Sequence, residues 1–327
     1  MLNKIYSNTK KFIKENIIHI IIVSIFIIGL NIHFPYYIET PGGLVNLSKR
    51  MITKSNKIKG SYNITFINSY SADLWRYLIA KINKNWDIVP ISDYYDENED
   101  NSDYEKRDKL MLYNAFSNAY YVAHKLANKN INIKNSNVHV LYIDEYADTN
   151  LKVGDKINKL DGKKIENINE IIEYVNTKDE DDKIIVETDN GEKYITVDIV
   201  NNKKILSIYV ITNYEYDTDI KYNYGKKEYG SSGGLMMSLA IYDYITPYDL
   251  SKGRKIAGTG TIEIDGTVGE IAGVRHKIIT ASKNKVDIFF IPEGNYEEAK
   301  KVIDERNYKI NLVSVKNIND AIDYLNK

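Results

Sequence analysis

The sequence predicts an α+β fold carried behind one N-terminal transmembrane helix. Three observations predict it. A charge-free apolar run stands near the start of the chain. Later segments of β-branched and aromatic residues, bounded by Asp-Gly and Asn-Gly pairs, read as short strands. Between them, apolar residues recur at helical spacing. At 327 residues the chain has room for more than one folded unit.

The apolar run comes first. No Asp, Glu, Lys or Arg occurs between Glu15 and Glu39, and the centre from Ile17 to Leu30 is almost purely aliphatic. A bilayer core needs about 20 residues of helix, so this stretch can span one. Lys4, Lys10, Lys11 and Lys14 precede it. By the positive-inside rule, residues 1–15 stay in the cytoplasm, residues 16–38 form the anchor and the remainder lies outside the cytoplasm. A cleaved signal peptide would need small residues after the run, and Asn31, Ile32, His33, Phe34 and Pro35 do not supply them.

Residues 39–103 read as an α+β segment, with a strand from Ser61 to Asn68 and an amphipathic helix from Ala72 to Ile82. The stretch from Asp93 to Asp108 is rich in Asp, Glu, Asn and Ser and reads as a solvated linker, because its spacing matches no EF-hand loop. From Tyr104 to Lys129 the positions of Leu110, Tyr113, Phe116, Tyr120 and Leu126 predict one long helix. Val138 to Asp198 alternates strands with one helix at Ile168–Val175, turning at Asp161-Gly162 and Asn190-Gly191. Val153, Gly154, Asp155, Ile157, Asp161 and Gly162 make residues 104–204 resemble a PDZ domain. The resemblance implies a module that binds extended polypeptide by adding it as a strand.

Composition excludes several chemistries. With 44 basic and 45 acidic residues the formal net charge is -1, so no global field draws the chain to nucleic acid. There is no cysteine, hence no thiolate nucleophile or thiolate metal site. Five scattered histidines include no HExxH pair, so neither metal nor other cofactor is expected.

One segment has the make-up of a hydroxyl-nucleophile loop, a make-up that ordinary loops and N-caps share. In YGSSGGLMMSLAIYDYI, Tyr229 to Ile245, a small-residue turn leads into an apolar helix with Ser232 at its start. Gly230, Gly233 and Gly234 let a substrate backbone approach, with Ser231 beside them as a supporting residue, and the unpaired amides of a helix N-terminus suit an oxyanion. In AGTGTIEIDGTVGEIAGVRHKIITA, two strands are expected to meet at Asp265-Gly266 and lead into a helix whose first turns hold Lys277. A lysine there opposes the helix dipole, and burial would disfavour its charge further. Both effects favour the neutral amine, which can take a hydroxyl proton. A surface lysine is the plain alternative.

Together these two elements resemble the Lon protease family. Gly230-Ser231-Ser232-Gly233-Gly234 matches the serine motif, and Thr259-Gly260, Gly266, Val268-Gly269 and Ala272 to Lys277 match the second. The resemblance implies a Lon-type proteolytic domain over residues 205–327, with Ser232 as nucleophile, Lys277 as general base and Thr259 orienting the lysine. Ser231 replaces the family's proline, Gly233 its alanine, and Tyr229 an acid. No GxxxxGK[ST] loop occurs, which implies action without ATP. A Ser-His-Asp triad through His276 finds no acid spaced to orient the ring. Residues 39–103 are expected to complete the proteolytic fold, making the PDZ-like part an insertion.

The whole arrangement resembles the YlbL-like secreted Lon and PDZ proteins of bacteria. It implies a membrane-anchored serine endopeptidase with a Ser-Lys dyad, polypeptide substrates and a homo-oligomer. The competing expectation is a non-catalytic PDZ adaptor that holds peptide at the membrane.

Overall fold

A computed structural model describes residues 2–52, 58–95 and 99–327, and the chain divides into two compact units. The first comprises Met1–Pro41 and Ile67–Tyr94. Its leading helix, Leu2–Asn31, contains the 27 residues Ile5–Asn31, long and apolar enough to cross a membrane. Tyr36 to Glu39 then pair antiparallel with Asp87–Pro90. The helix Leu74–Ile82 is capped by Asp73, whose carboxylate accepts from the Arg76 amide at 2.8 Å. A small core of Ile38, Ala72 and Ala80, flanked by Phe34, Tyr36, Trp86 and Ile88, holds these pieces together.

The second unit comprises Gly42–Phe66 and Tyr95–Lys327. Its centre is a parallel array in the spatial order Leu312–Val315, Ile288–Pro292, Lys255–Gly258 and the start of Ser61–Asp73. Side chains alternate across a strand, so neighbouring residues enter different cores. Ile256, Ile288 and Phe290 face one side, against Leu235, Met236 and Leu239 of the helix Gly234–Ile245. Ala257, Phe289 and Ile291 face the other, against Val274 and Ile278 of the helix Val274–Lys283 and Ala299 and Val302 of Tyr296–Arg306. Burial around most of its circumference explains why Gly234–Ile245 lacks a polar stripe.

A second, antiparallel sheet in this unit has the order Ile208–Tyr216, Ile133–Ile143, Lys156–Leu160, Lys183–Thr188, Gly191–Thr196, accompanied by the helix Ile168–Val175. It has its own core, built on Val138, Val140, Ile157, Leu160, Ile184, Val186 and Ile195. Asp161 and Gly162 both have positive φ, 45° and 82°, the pairing that a tight two-residue hairpin demands. The long helix Asn101–Leu126 joins the two sheets. Its Asn114 donates to the Thr212 carbonyl at 3.1 Å and its Asn118 to the Ile262 carbonyl at 3.1 Å.

Three expectations need correction. The polar stretch 93–108 is largely not a linker. Although residues 96–98 lie outside those described, Asp100 caps a helix that begins at Asn101, accepting from the Asp103 amide at 2.9 Å. The ion pair Lys106–Asp103 then lies on the helix surface, while Arg107 reaches back to a largely buried Glu99. The two strands expected to meet at Asp265-Gly266 form no ladder. Thr261 and Glu263 donate to Gly269 and Thr267, closing a local loop, and a single bridge joins Thr267 to Asn317. Lastly, the strand beginning at Ser61 continues to Asp73.

Candidate active site

The serine loop is shaped from three directions. From upstream, the Gly230 amide donates to the Asp108 carbonyl at 3.0 Å, fixing the loop to the helix Asn101–Leu126. From the facing strand end, the Gly260 amide and the Thr259 hydroxyl donate to the Ser232 carbonyl at 2.8 Å and 3.1 Å. With its carbonyl turned aside, Ser232 stays outside the helix, which starts at Gly234. From downstream, the Leu235 amide donates to the Gly260 carbonyl at 3.1 Å. The loop and strand end are thus joined in both directions.

The same contact explains a glycine. A Cβ on Gly234 would lie 2.7 Å from Ile262 Cγ2 and 3.0 Å from the Ile262 backbone nitrogen, closer than real side chains come. Ser231 and Ser232 are half-buried, whereas Gly233 and Gly234 are buried.

Lys277 is the fourth residue of the helix Val274–Lys283, whose N-cap Gly273 is left-handed. Although a lysine, it is only 4% exposed. Its Nζ donates to Thr259 Oγ1 at 3.0 Å. A continuous path therefore runs from the Lys277 amine through the fully buried Thr259 hydroxyl to the Ser232 carbonyl. His276 is also buried, at 1%. Adjacent helix positions diverge by about 100°, so His276 and Lys277 project in different directions.

The structure brings together Ser232, Thr259 and Lys277 with their neighbours Gly230, Ser231 and Gly233. It corrects one chemical expectation: several helix-start amides are already used. Gly234 donates to Ser231, Leu235 to Gly260 and Met237 to Gly233. The amides of Gly234, Leu235 and Met237 are therefore not open to an oxyanion.

Two groups near the site had no sequence signal. Asp108 meets the serine loop from 122 to 124 positions away, beyond any motif's reach. Burial pushes its carboxyl above the ordinary range, opposed by Arg107 and by a hydrogen bond from Tyr104. Lys109, the next residue, donates to the Gly225 and Glu228 carbonyls at 3.0 and 3.3 Å and lies near the rings of Tyr113, Tyr224 and Tyr229. It tethers the approach to the serine loop.

Among the described residues no cluster of His, Asp and Glu is arranged to hold a metal ion. Residues 215–326, which include Ser232, Thr259 and Lys277, match the Lon protease (S16) C-terminal proteolytic domain. A Lon protease of Aster yellows witches'-broom phytoplasma is 31% identical over 92 residues, 28% of this chain and 11% of that protein. A Campylobacter jejuni Lon protease is 30% identical over 96 residues, 29% of this chain and 12% of that protein. The chain thus spans about a tenth of the length of these curated relatives. The PDZ domain of an SdrC-like protein from Listeria monocytogenes aligns with a TM-score of 0.21 and 20% identity, covering 23% of this chain and 86% of that one. Residues 215–326 are thus similar to a Lon-type proteolytic domain.

Proposed function

We propose that this chain is a membrane-anchored serine endopeptidase that cleaves extracytoplasmic polypeptide without ATP, with Ser232 as nucleophile and Lys277 as general base. The observation that carries the reading is the buried Lys277 amine, hydrogen-bonded to Thr259 Oγ1, which itself bonds the Ser232 carbonyl. Desolvation and the first-turn position both oppose the ammonium form, so the amine is a base near neutral pH.

The chemistry follows from those roles. Lys277 takes the Ser232 hydroxyl proton as Oγ attacks the peptide carbonyl carbon. Amides of the Ser232–Gly233 pair receive the developing oxyanion. The Lys277 ammonium then returns the proton to the leaving amine, and an ester to Ser232 remains. Water, deprotonated by Lys277, attacks that ester, and the product carboxylate departs with Ser232 restored. Thr259 orients the lysine, while Gly230, Ser231 and Gly233 keep the approach narrow but open.

In this reading residues 39–103 contribute to the proteolytic fold, which the parallel pairing of Ser61–Ile64 with Lys255–Gly258 supports. The PDZ-like part, expected over 104–204, is in this reading the antiparallel sheet from Ile133 to Tyr216, an insertion that presents polypeptide, because the helix Asn101–Leu126 packs on the serine helix through Leu112, Ala119 and Tyr120. Its edge strand Ile208–Tyr216 lies near the helix Ile168–Val175, where Ile168 and Ile172 are exposed; Asn114 and Ser117 already bond the Thr212 carbonyl and the Tyr214 amide, so an added strand would pair along the earlier residues of this strand. Residues 16–31 anchor the chain with its N-terminus in the cytoplasm, whereas residues 33–38, expected to belong to the anchor, form a strand whose Tyr36 to Ile38 pair with Ile88 to Pro90. By analogy with Lon-type domains, the active assembly is a homo-oligomer.

A fluorophosphonate probe on the purified full chain tests this function. Labelling that Ser232→Ala removes is the expected result. Absence of labelling in a folded protein that still binds extended peptide would instead leave the non-catalytic adaptor.

A further inference from the structure

The helix Leu74–Ile82 is amphipathic in the wrong direction for a helix covering a water-soluble core. At about 100° per residue, Trp75, Leu78, Ile79 and Ile82 form one stripe, the i, i+3, i+4, i+7 pattern that ordinarily faces inward. Here it faces out: Leu78 is 48%, Ile79 42% and Ile82 82% exposed. The inward side carries small Ala80, which is buried, and Tyr77, stacked on Phe34. The packed side of this helix is therefore less aliphatic than its open side.

The head of the open stripe rests on the spanning helix. Trp75 Nε1 donates to the Phe26 carbonyl at 2.8 Å, and the two rings stack with centroids 5.6 Å apart. Gly29 makes room for the indole, since a Cβ there would stand 2.3 Å from Trp75 Nε1. The Leu74 amide donates to the Ile32 carbonyl at 3.0 Å, fixing the other corner. With a rise of about 1.5 Å per residue, Phe26 lies about 6 Å inside the Leu30 end of the apolar run. Interfacial amphipathic helices bury their apolar face to about 5–10 Å. Arg76 and Lys81 flank the stripe, and Tyr70, Tyr77, Trp86, Phe34 and Tyr36 make this unit rich in the aromatics of a membrane boundary.

We infer that Leu74–Ile82 is a second membrane-contacting element, an interfacial helix that sinks Leu78, Ile79 and Ile82 into the outer leaflet beside the span. The inference rests on the anchor reading above. Its occupant is the bilayer, because the exposed stripe continues from a tryptophan already seated on the span. The helix would brace the point where the chain leaves the membrane.

The cysteine-free chain allows a direct test. Single cysteines at Leu78, Ile82 and Ile22, each carrying an NBD fluorophore, are placed in the full chain and reconstituted in phosphatidylcholine/phosphatidylglycerol vesicles. Doxyl lipids labelled at shallow or deep positions serve as quenchers. The labels at 78 and 82 should emit blue-shifted and be quenched more by shallow than by deep doxyl groups, whereas the label at 22 should be quenched more by the deep ones. Iodide-accessible, red-shifted labels at 78 and 82, with the label at 22 still quenched by lipid, would overturn the interfacial helix and leave the anchor standing. Blue-shifted labels at 78 and 82 that no doxyl lipid quenches would mean a protein covers the stripe and would equally overturn it. A water-exposed label at 22 would overturn the anchor, and this inference with it. Independently, Trp86→Phe leaves Trp75 as the sole tryptophan, and brominated lipid should quench it; unquenched emission from folded protein would count against the inference.

Discussion

Replacing Thr259 by valine keeps the side chain's shape and removes only its hydroxyl. That hydroxyl accepts from Lys277 Nζ at 3.0 Å and donates to the Ser232 carbonyl at 3.1 Å, in a fully buried position. A buried polar group that loses its partner costs about 1–3 kcal/mol. If about 1.4–2.7 kcal/mol of this falls on the transition state, the rate drops about tenfold to a hundredfold, since each 1.36 kcal/mol is a factor of ten. The loss should appear in kcat with KM little changed, because Thr259 touches the base and not the substrate. There is also a pH signature. A hydroxyl acceptor favours the ammonium over the amine, so removing it lowers the lysine pKa and moves the acidic limb of the kcat/KM profile to lower pH. Hydrolysis of a fluorogenic unstructured peptide across pH, with a thermal melt alongside, separates catalysis from folding. Thr259→Ser should recover most of the rate. A valine variant keeping more than half the wild-type kcat with an unshifted profile would refute the positioning role.

Two further outcomes follow from one buried and one half-buried acid. The Tyr62 hydroxyl donates to Asp243 Oδ2 at 2.8 Å beneath the serine helix, and the Leu250 amide donates to Oδ1 at 2.8 Å. Tyr62→Phe should therefore cost about 1–3 kcal/mol in denaturant unfolding, and no loss of stability would show that the bond is unimportant. For Asp108, burial raises the folded pKa above the unfolded one. The stabilisation from its protonated form is complete below the unfolded value and is lost as pH rises through the folded value. Relative to wild type, Asp108→Asn should thus gain thermal stability from pH 4 towards pH 8, and a difference constant with pH would contradict the burial argument.

Local turn chemistry and period carried the helix at Ile168–Val175 and the turn at Asp161-Gly162, both found at those positions. Asp-rich composition misled at residues 101–108, because helix surface and loop share polar residues and the deciding signal was one cap at Asp100. The loop around Asp265 alternates like a strand but closes on itself through Thr261 and Glu263. Asp108 beside Gly230 was invisible, since no local pattern encodes a contact across more than 120 positions. The outward stripe of Leu74–Ile82 was legible as amphipathic; its direction depended on Trp75 meeting Phe26, which only three dimensions reveal.

The central claim is that Ser232 and Lys277 act as one unit, and rates of peptide hydrolysis by Ser232→Ala, Lys277→Arg, their double variant and His276→Gln test it most directly. Arginine is a long basic side chain that stays protonated and cannot act as a base near neutral pH. Both single variants should be inactive, the double variant no worse than either, and His276→Gln close to wild type in folded protein. Substantial hydrolysis by Lys277→Arg, together with its loss in His276→Gln, would make the histidine the base and contradict the account.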